Sequence, residues 1–466
     1  MEAIHNFIMS IDGVLGGVIL VVLLFGTGIF FTIKLKGVQF VHFGRGFKMM
    51  FGGIFNKAED KEGSLSSFQA LATAVAAQVG TGNVGGVATA IATGGPGAVF
   101  WMWITALLGM PTIFAEAVLA QHYRKKKDNG ELVGGPAYYI EQGVGPKVGK
   151  GFARFLAVFF AIAIVIALGI TGNMVQSNSI SNALNGAFNI PLWISGIALA
   201  ILAALIFIGG VDRIGRFAET VVPVMAVAYI IAAIAALVIF RDKLGGAFQR
   251  IFEGAFTVQA GIGGFAGATV RAAIKMGVQR GLFSNEAGMG STPHAHAVAH
   301  VKHPVEQGLV AFVGVFVDTL LVCSATALTI VATEAYQIEG LQGVAISQEA
   351  FTLAFGPIGG KFLAVCLLFF AFTTIVGWYY FGESNIFYLF GQTGVRIYQG
   401  FVIIAIILGS LAEVQIVWDI NGFLNNLMVI PNVIALLILS PLVSKIYEDY
   451  NNCLKNGKIH YEYNAK

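Results

Sequence analysis

Long apolar runs separated by short polar joints fill almost the whole chain. The hydrocarbon core of a bilayer is about 30 Å thick and takes roughly 20 helical residues to cross. Runs of that kind lie at 13–33, 67–92, 97–121, 152–187, 191–209, 214–240, 255–274, 305–333, 350–380, 395–412 and 415–440. The pattern predicts an all-α polytopic membrane protein with about 11 transmembrane helices. The run at 152–187 exceeds one crossing and is expected to tilt or to continue into a loop. Glu2 and Asp12 lead into the first run, Lys34 and Lys36 follow it, and no A-x-A pattern is present, so an uncleaved helix with its N-terminus outside is expected.

The charges set the expected orientation. With that start, 24 of the 28 basic residues fall on the inner side, and only Arg241, Lys243, Arg250 and Lys361 fall outside. Lys and Arg accumulate in cytoplasmic loops, so a cytoplasmic C-terminus and a location in the plasma membrane are expected. Hydrophobic residues make up 56% of the chain and charged residues 11%, against roughly 25% charged in soluble domains. A water-soluble fold is thereby excluded. Cys323, Cys366 and Cys453 are too scattered for a disulfide framework or a zinc site. The basic and aromatic stretch 34–55 suits a helix lying on the inner membrane surface. The run Arg124-Lys125-Lys126-Lys127 reads first as a topology signal and second as a contact for anionic lipid, so membrane lipid is an expected partner.

Within this framework two glycine-rich interruptions stand out. Gly80-Thr81-Gly82-Asn83 breaks the run at 67–92, and a second break is expected at 261–267. With the first helix set aside, ten runs divide into five at 67–240 and five at 255–440, each opening on a broken helix. An odd number of crossings per half gives the halves opposite orientation, and interruptions at corresponding places point to a transport site at the midplane. Residues 1–66 then form an N-terminal helix with an interfacial segment, and 441–466 form a cytoplasmic tail.

Broken backbone at bilayer depth lines a polar cavity or lies buried in protein. Just before the first break the carbonyls of Ala76 and Val79 lose their helical partners, and Phe370, Thr373 and Thr374 offer a carbonyl and two hydroxyls on another helix. Together they form a candidate sodium site. The amides of Thr81, Gly82 and Asn83 open the next half-helix and suit a carboxylate. Gln78 is placed to add directional hydrogen bonds, and Asn173 and Gln176 share a face with Gly169. Gly263 and Phe265 of the second break, Phe372 and Trp378 complete the expected substrate set. Asp318 is an intramembrane carboxylate and a candidate for coupling or for fixing helix geometry. His294, His296, His300 and His303 have zinc-like spacing but no carboxylate or thiolate ligand among them, and no GK[ST] phosphate loop exists. No catalytic set and no enzymatic cofactor are therefore expected.

Two blocks resemble the signatures of the alanine/glycine:cation symporter family: Gly94-Gly95-Pro96-Gly97-Ala98-Val99-Phe100-Trp101 with its continuation to Gly109, and Ser284-Asn285-Glu286-Ala287-Gly288-Met289-Gly290-Ser291-Thr292-Pro293 with its continuation to Ala297. The resemblance implies import of alanine, glycine or a similar small amino acid, driven by sodium or, alternatively, by protons. It also implies one N-terminal helix plus the five-plus-five inverted repeat of the LeuT-like fold, with the first and sixth core helices broken. In that fold the sodium ligands fall by position on Ala76, Val79, Phe370, Thr373 and Thr374. Gln78 stands where sodium-coupled members commonly have a small residue.

Overall fold

The computed structural model describes residues 19–55, 65–128, 130–257, 270–412, 414–457 and 459–462. Helices of two turns or more are numbered along the chain. The first half holds α1 (Leu20–Lys34), α2 (Phe43–Phe55), α3 (Ser67–Gln78), α4 (Val87–Gly94), α5 (Gly97–His122), α6 (Lys150–Phe188), α7 (Leu192–Phe207) and α8 (Gly210–Ile239). The second holds α9 (Arg241–Phe256), α10 (Val270–Asn285), α11 (Pro304–Thr333), α12 (Val344–Phe355), α13 (Pro357–Leu411) and α14 (Val414–Lys455).

Among the described residues, α5, α6, α8, α11, α13 and the Ile420–Lys455 part of α14 are long and apolar enough to cross a bilayer unaided. Gly391 (φ 67°, ψ −161°) divides α13 into arms at 357–390 and 392–411. A residue bearing a Cβ is disfavoured in that left-handed conformation. The start of the run expected at 350–380 belongs to a separate helix, α12.

Three stretches differ from the sequence expectation. Residues 241–250, expected as an outer loop, begin the amphipathic helix α9, in which Ala247, Ile251 and Ala255 recur every four residues and are buried. The run expected at 255–274 meets the end of α9 and the start of α10, with 258–269 outside the described residues. The segment 271–304, expected as an inner loop, forms most of α10, a buried turn, the short helix Pro293–Ala297 and the strand Ala299–His300.

The two arms of α13 together pack against α3, α6, α7 and α8, while α5 packs against α1, α10 and α11. A capping box of Ser66 and Gln69 starts α3. Immediately before it, Leu65–Ser66 pairs in parallel with Ala299–His300. Three π-helical stretches, at Gly82–Gly86, Val165–Gly172 and Phe316–Cys323, adjoin or contain Asn83, Asn173 and Asp318. Such widened turns occur often at functional sites because they redirect side chains and free carbonyls.

Candidate ion and solute site

At the end of α3, Val79 leaves the helical conformation (φ −81°, ψ 88°). Two amides that would continue the helix are diverted. The Gly80 N–H donates to Asn83 Oδ1 at 2.9 Å, and the Thr81 N–H donates to Gln176 Oε1 at 3.2 Å. In an unbroken helix they would serve the carbonyls of Ala76 and Ala77. Thr374 Oγ1 instead lies 3.0 Å from the Ala76 carbonyl, 3.4 Å from that of Val79 and 3.0 Å from that of Phe370. Thr373 Oγ1 also donates to the Phe370 carbonyl, at 2.8 Å. A hydroxyl carries one proton, so two protons serve three carbonyl oxygens, and lone pairs are left over for a cation. Thr373, Thr374, Phe370 and Val79 are wholly buried. Gly80 permits this approach, since a Cβ there would sit 2.4 Å from Thr374 Oγ1.

Facing this break is the turn at 286–292, where Glu286 (φ 57°), Gly288 (φ 91°) and Gly290 (φ 82°) interrupt the path from α10 to the Pro293–Ala297 helix. Gln78 Nε2 donates to the Asn285 carbonyl at 2.6 Å, and Asn83 Nδ2 donates to Ser284 Oγ at 3.1 Å. Glu116 holds the turn from α5 by accepting the Gly288 and Gly290 amides at 3.1 and 3.0 Å. Asn432 Nδ2 of α14 donates to the same carboxylate at 2.6 Å and takes the Tyr139 hydroxyl on its Oδ1. The expected second break at 261–267, with Gly263 and Phe265, lies outside the described residues. Among the described residues, the interruption set against the first break is the 286–292 turn.

Asp318 ties the first break to α11. Its Oδ1 accepts from Asn83 Nδ2 at 2.6 Å, and its Oδ2 accepts from Ser284 Oγ at 2.6 Å and Thr319 Oγ1 at 2.7 Å. Asn83 therefore bonds the Gly80 amide through its oxygen and Asp318 through its nitrogen. The bent backbone is fixed from both sides. Trp378 donates its indole N–H to Glu286 Oε1 at 2.6 Å, and Ser291 Oγ donates to the other oxygen. Phe283 stands edge-on to Trp378 with centroids 5.8 Å apart, and its ring lies 3.0 Å from the point a Cβ on Gly82 would occupy.

Not every expected residue converges. Phe372 turns toward α8 and stands edge-on to Phe217 at 5.8 Å, away from Trp378. Asn173 Nδ2 bonds back to the Gly169 carbonyl of its own helix at 3.0 Å. Thr81 Oγ1, Gln78 Oε1 and Asn173 Oδ1 are buried without a protein partner. The histidines do not assemble either: His294 meets Ser291 and Asn385, His296 meets Gln307, and His303 meets Asp449. Among the described residues no group of three metal-ligating side chains occurs. Phe283, Asn285 and Glu286 were not singled out as site residues from sequence. Their available signal was the glycine alternation in Asn285-Glu286-Ala287-Gly288-Met289-Gly290.

Interrupted helices that free backbone carbonyls at bilayer depth are a feature of transporter binding sites. The fold is similar to that in the crystal structure of MhsT in complex with L-phenylalanine, with a TM-score of 0.55 at 17% identity, over 83% of this chain and 89% of that one. The chain belongs to the sodium:alanine symporter family, whose profile matches residues 1–464. It is 42% identical over 454 residues to the sodium/alanine symporter AgcS of Methanococcus maripaludis, covering 97% of this chain and 98% of that one. It is 40% identical over 463 residues to the probable sodium/glutamine symporter GlnT of Bacillus subtilis, covering 98% and 93%. Membership makes the chain a multi-pass membrane protein of amino-acid symport.

Proposed function

We propose that this protein imports alanine, glycine or a similar small amino acid together with sodium by alternating access. The observation that carries the reading is the oxygen cage: Ala76, Val79 and Phe370 carbonyls around two threonine hydroxyls, with too few protons to satisfy them. Sodium seated there would join α3 to α13. The substrate carboxylate would lie beyond it, at the Thr81–Asn83 end of the break, with Phe283 and Trp378 limiting the side chain. Gln176 already meets the Thr81 amide, so it is placed to share that end of the solute site.

The same reading takes the architecture as an N-terminal helix plus a five-plus-five inverted repeat. The N-terminus lies outside and the C-terminus in the cytoplasm, on the strength of the basic-residue bias. A cycle of one sodium with one zwitterion moves one charge. At about 2.3 kcal/mol per 100 mV and 1.4 kcal/mol per tenfold, the potential alone supports roughly 40-fold accumulation.

Proton coupling is the alternative, and Asp318 is the observation that favours it, as a wholly buried carboxylate whose described hydrogen-bond partners are uncharged. Labelled alanine uptake into proteoliposomes under imposed sodium or proton gradients separates the two. Uptake driven by a sodium gradient at constant pH is expected, and uptake indifferent to sodium overturns the proposal.

A further inference from the structure

About 13 Å along the α13 axis from Thr374, on the opposite helix face, a polar cavity of about 180 Å³ opens beside the Gly391 hinge. Its walls include Lys127, Glu131, Phe207, Tyr380, Glu383 and Gln399. Glu383 Oε2 is shielded from solvent and has no hydrogen-bond partner. Tyr379 is also wholly buried, with its ring stacked on Phe207 at 3.6 Å, and its hydroxyl has no partner either. That hydroxyl lies beside Glu383 and Gln399. Lys127 is the cation nearest in effect to Glu383, but its ammonium is engaged by Glu131 at 3.1 Å and lies 4.5 Å over the Phe387 ring. A buried carboxylate oxygen thus borders this space without a partner, the Gln399 side chain lines the same wall, and the Tyr379 phenol stands next to both. Leaving such groups unpaired is costly.

We propose that this cavity binds a primary ammonium group, with Glu383 as its counter-charge. An ammonium N–H matches the unpartnered Glu383 Oε2, a second suits the Gln399 side-chain oxygen on the same wall, and the Tyr380 ring lining the space favours an organic cation. The space holds a molecule of several heavy atoms, which argues against a bare metal ion. Lys127, on the wall of the same cavity, suits an anionic group attached to the amine. A phosphoethanolamine lipid headgroup and a free small amine share this chemistry. The site stands apart from the oxygen cage and does not depend on the transport reading.

Thermal unfolding of the purified full-length chain tests it, with ethanolamine and choline as probes. Ethanolamine is expected to raise Tm saturably, and Glu383→Gln to weaken its apparent affinity tenfold or more. Choline, which has no N–H, is expected to give no comparable rise. In nanodiscs, a higher Tm in phosphatidylethanolamine than in phosphatidylcholine for wild type but not for Glu383→Gln assigns the headgroup. Equal Tm in both lipids with retained ethanolamine binding assigns the free amine. Identical responses of wild type and Glu383→Gln, or choline acting as well as ethanolamine, overturn the proposal. If Glu383→Gln fails to fold, Gln399→Ala decides: weakening of threefold or more supports the site, and an unchanged response overturns it.

Discussion

Replacing Thr374 with alanine removes one of five oxygens from the proposed ion cage and changes little else. The hydroxyl lies 3.0 Å from both the Ala76 and Phe370 carbonyls, and the residue is wholly buried, so bulk water does not readily replace it. Hydrogen bonds to charged groups contribute about 1.5–3 kcal/mol, and the hydroxyl dipole acting on a sodium ion is taken as comparable. At 1.4 kcal/mol per tenfold, Thr374→Ala should raise the sodium concentration for half-maximal alanine uptake by about 10- to 150-fold. Thr374→Ser keeps the oxygen and should stay within about threefold of wild type by the same scale. The assay is the initial rate of labelled alanine uptake into proteoliposomes across a sodium series. An unchanged sodium dependence in Thr374→Ala would refute the cage. An equal shift in the serine and alanine variants would instead assign the effect to the lost methyl and its packing.

Asp318→Asn converts an acceptor of three hydrogen bonds into a side chain with one mismatched end. It should lower the maximal uptake rate about tenfold or more while leaving the pH profile of the remainder unmoved; a flattened profile would assign coupling to the proton. Trp378→Ala removes the wall set by Phe283 and Glu286, so leucine should compete as well as alanine in the variant but poorly in wild type. Equal competition in wild type would show that wall to be misplaced. Burial holds His303 below its ordinary value against the opposing pull of Asp449. Its neutral form therefore stabilises the fold above the unfolded value of about 6.5, and that contribution is lost as pH falls toward the lower folded value. His303→Gln should flatten the acid-side fall of Tm measured between pH 5 and 8, and an identical fall in both proteins would contradict this.

The convergence of the Ala76, Val79 and Phe370 carbonyls with the Thr373 and Thr374 hydroxyls was legible in the sequence because its parts obey local rules. A Gly-Thr-Gly run frees the carbonyls just before it, and adjacent threonines place hydroxyls beside a carbonyl one turn earlier. The 286–292 turn was not legible in the same way. The expected break at 261–267 lies outside the described residues, and this turn starts on Glu286, a non-glycine residue at positive φ. Its conformation is held by Glu116, Asn432 and Trp378 from three distant helices, and no local pattern records such support. Phe372 was misplaced for a geometric reason. Six positions separate it from Trp378, which at 100° per residue turns the two side chains away from each other. The α9 helix did carry a signal in its four-residue apolar repeat, but its charges made it read as a loop.

The two-residue ladder between Leu65–Ser66 and Ala299–His300 joins the chain entering α3 to the chain leaving the 286–292 turn. Gln121 reinforces that junction by donating to the carbonyls of His296 and Ala299 at 2.5 and 2.9 Å. The two interrupted helices are therefore hinged together at one edge, like the leaves of a book bound at the spine. Parting them there would break both the ladder and the Gln121 contacts at once. α3 also packs against α8 and α13, so an ion held by Ala76 and Thr374 would sit at that second interface and not at the ladder.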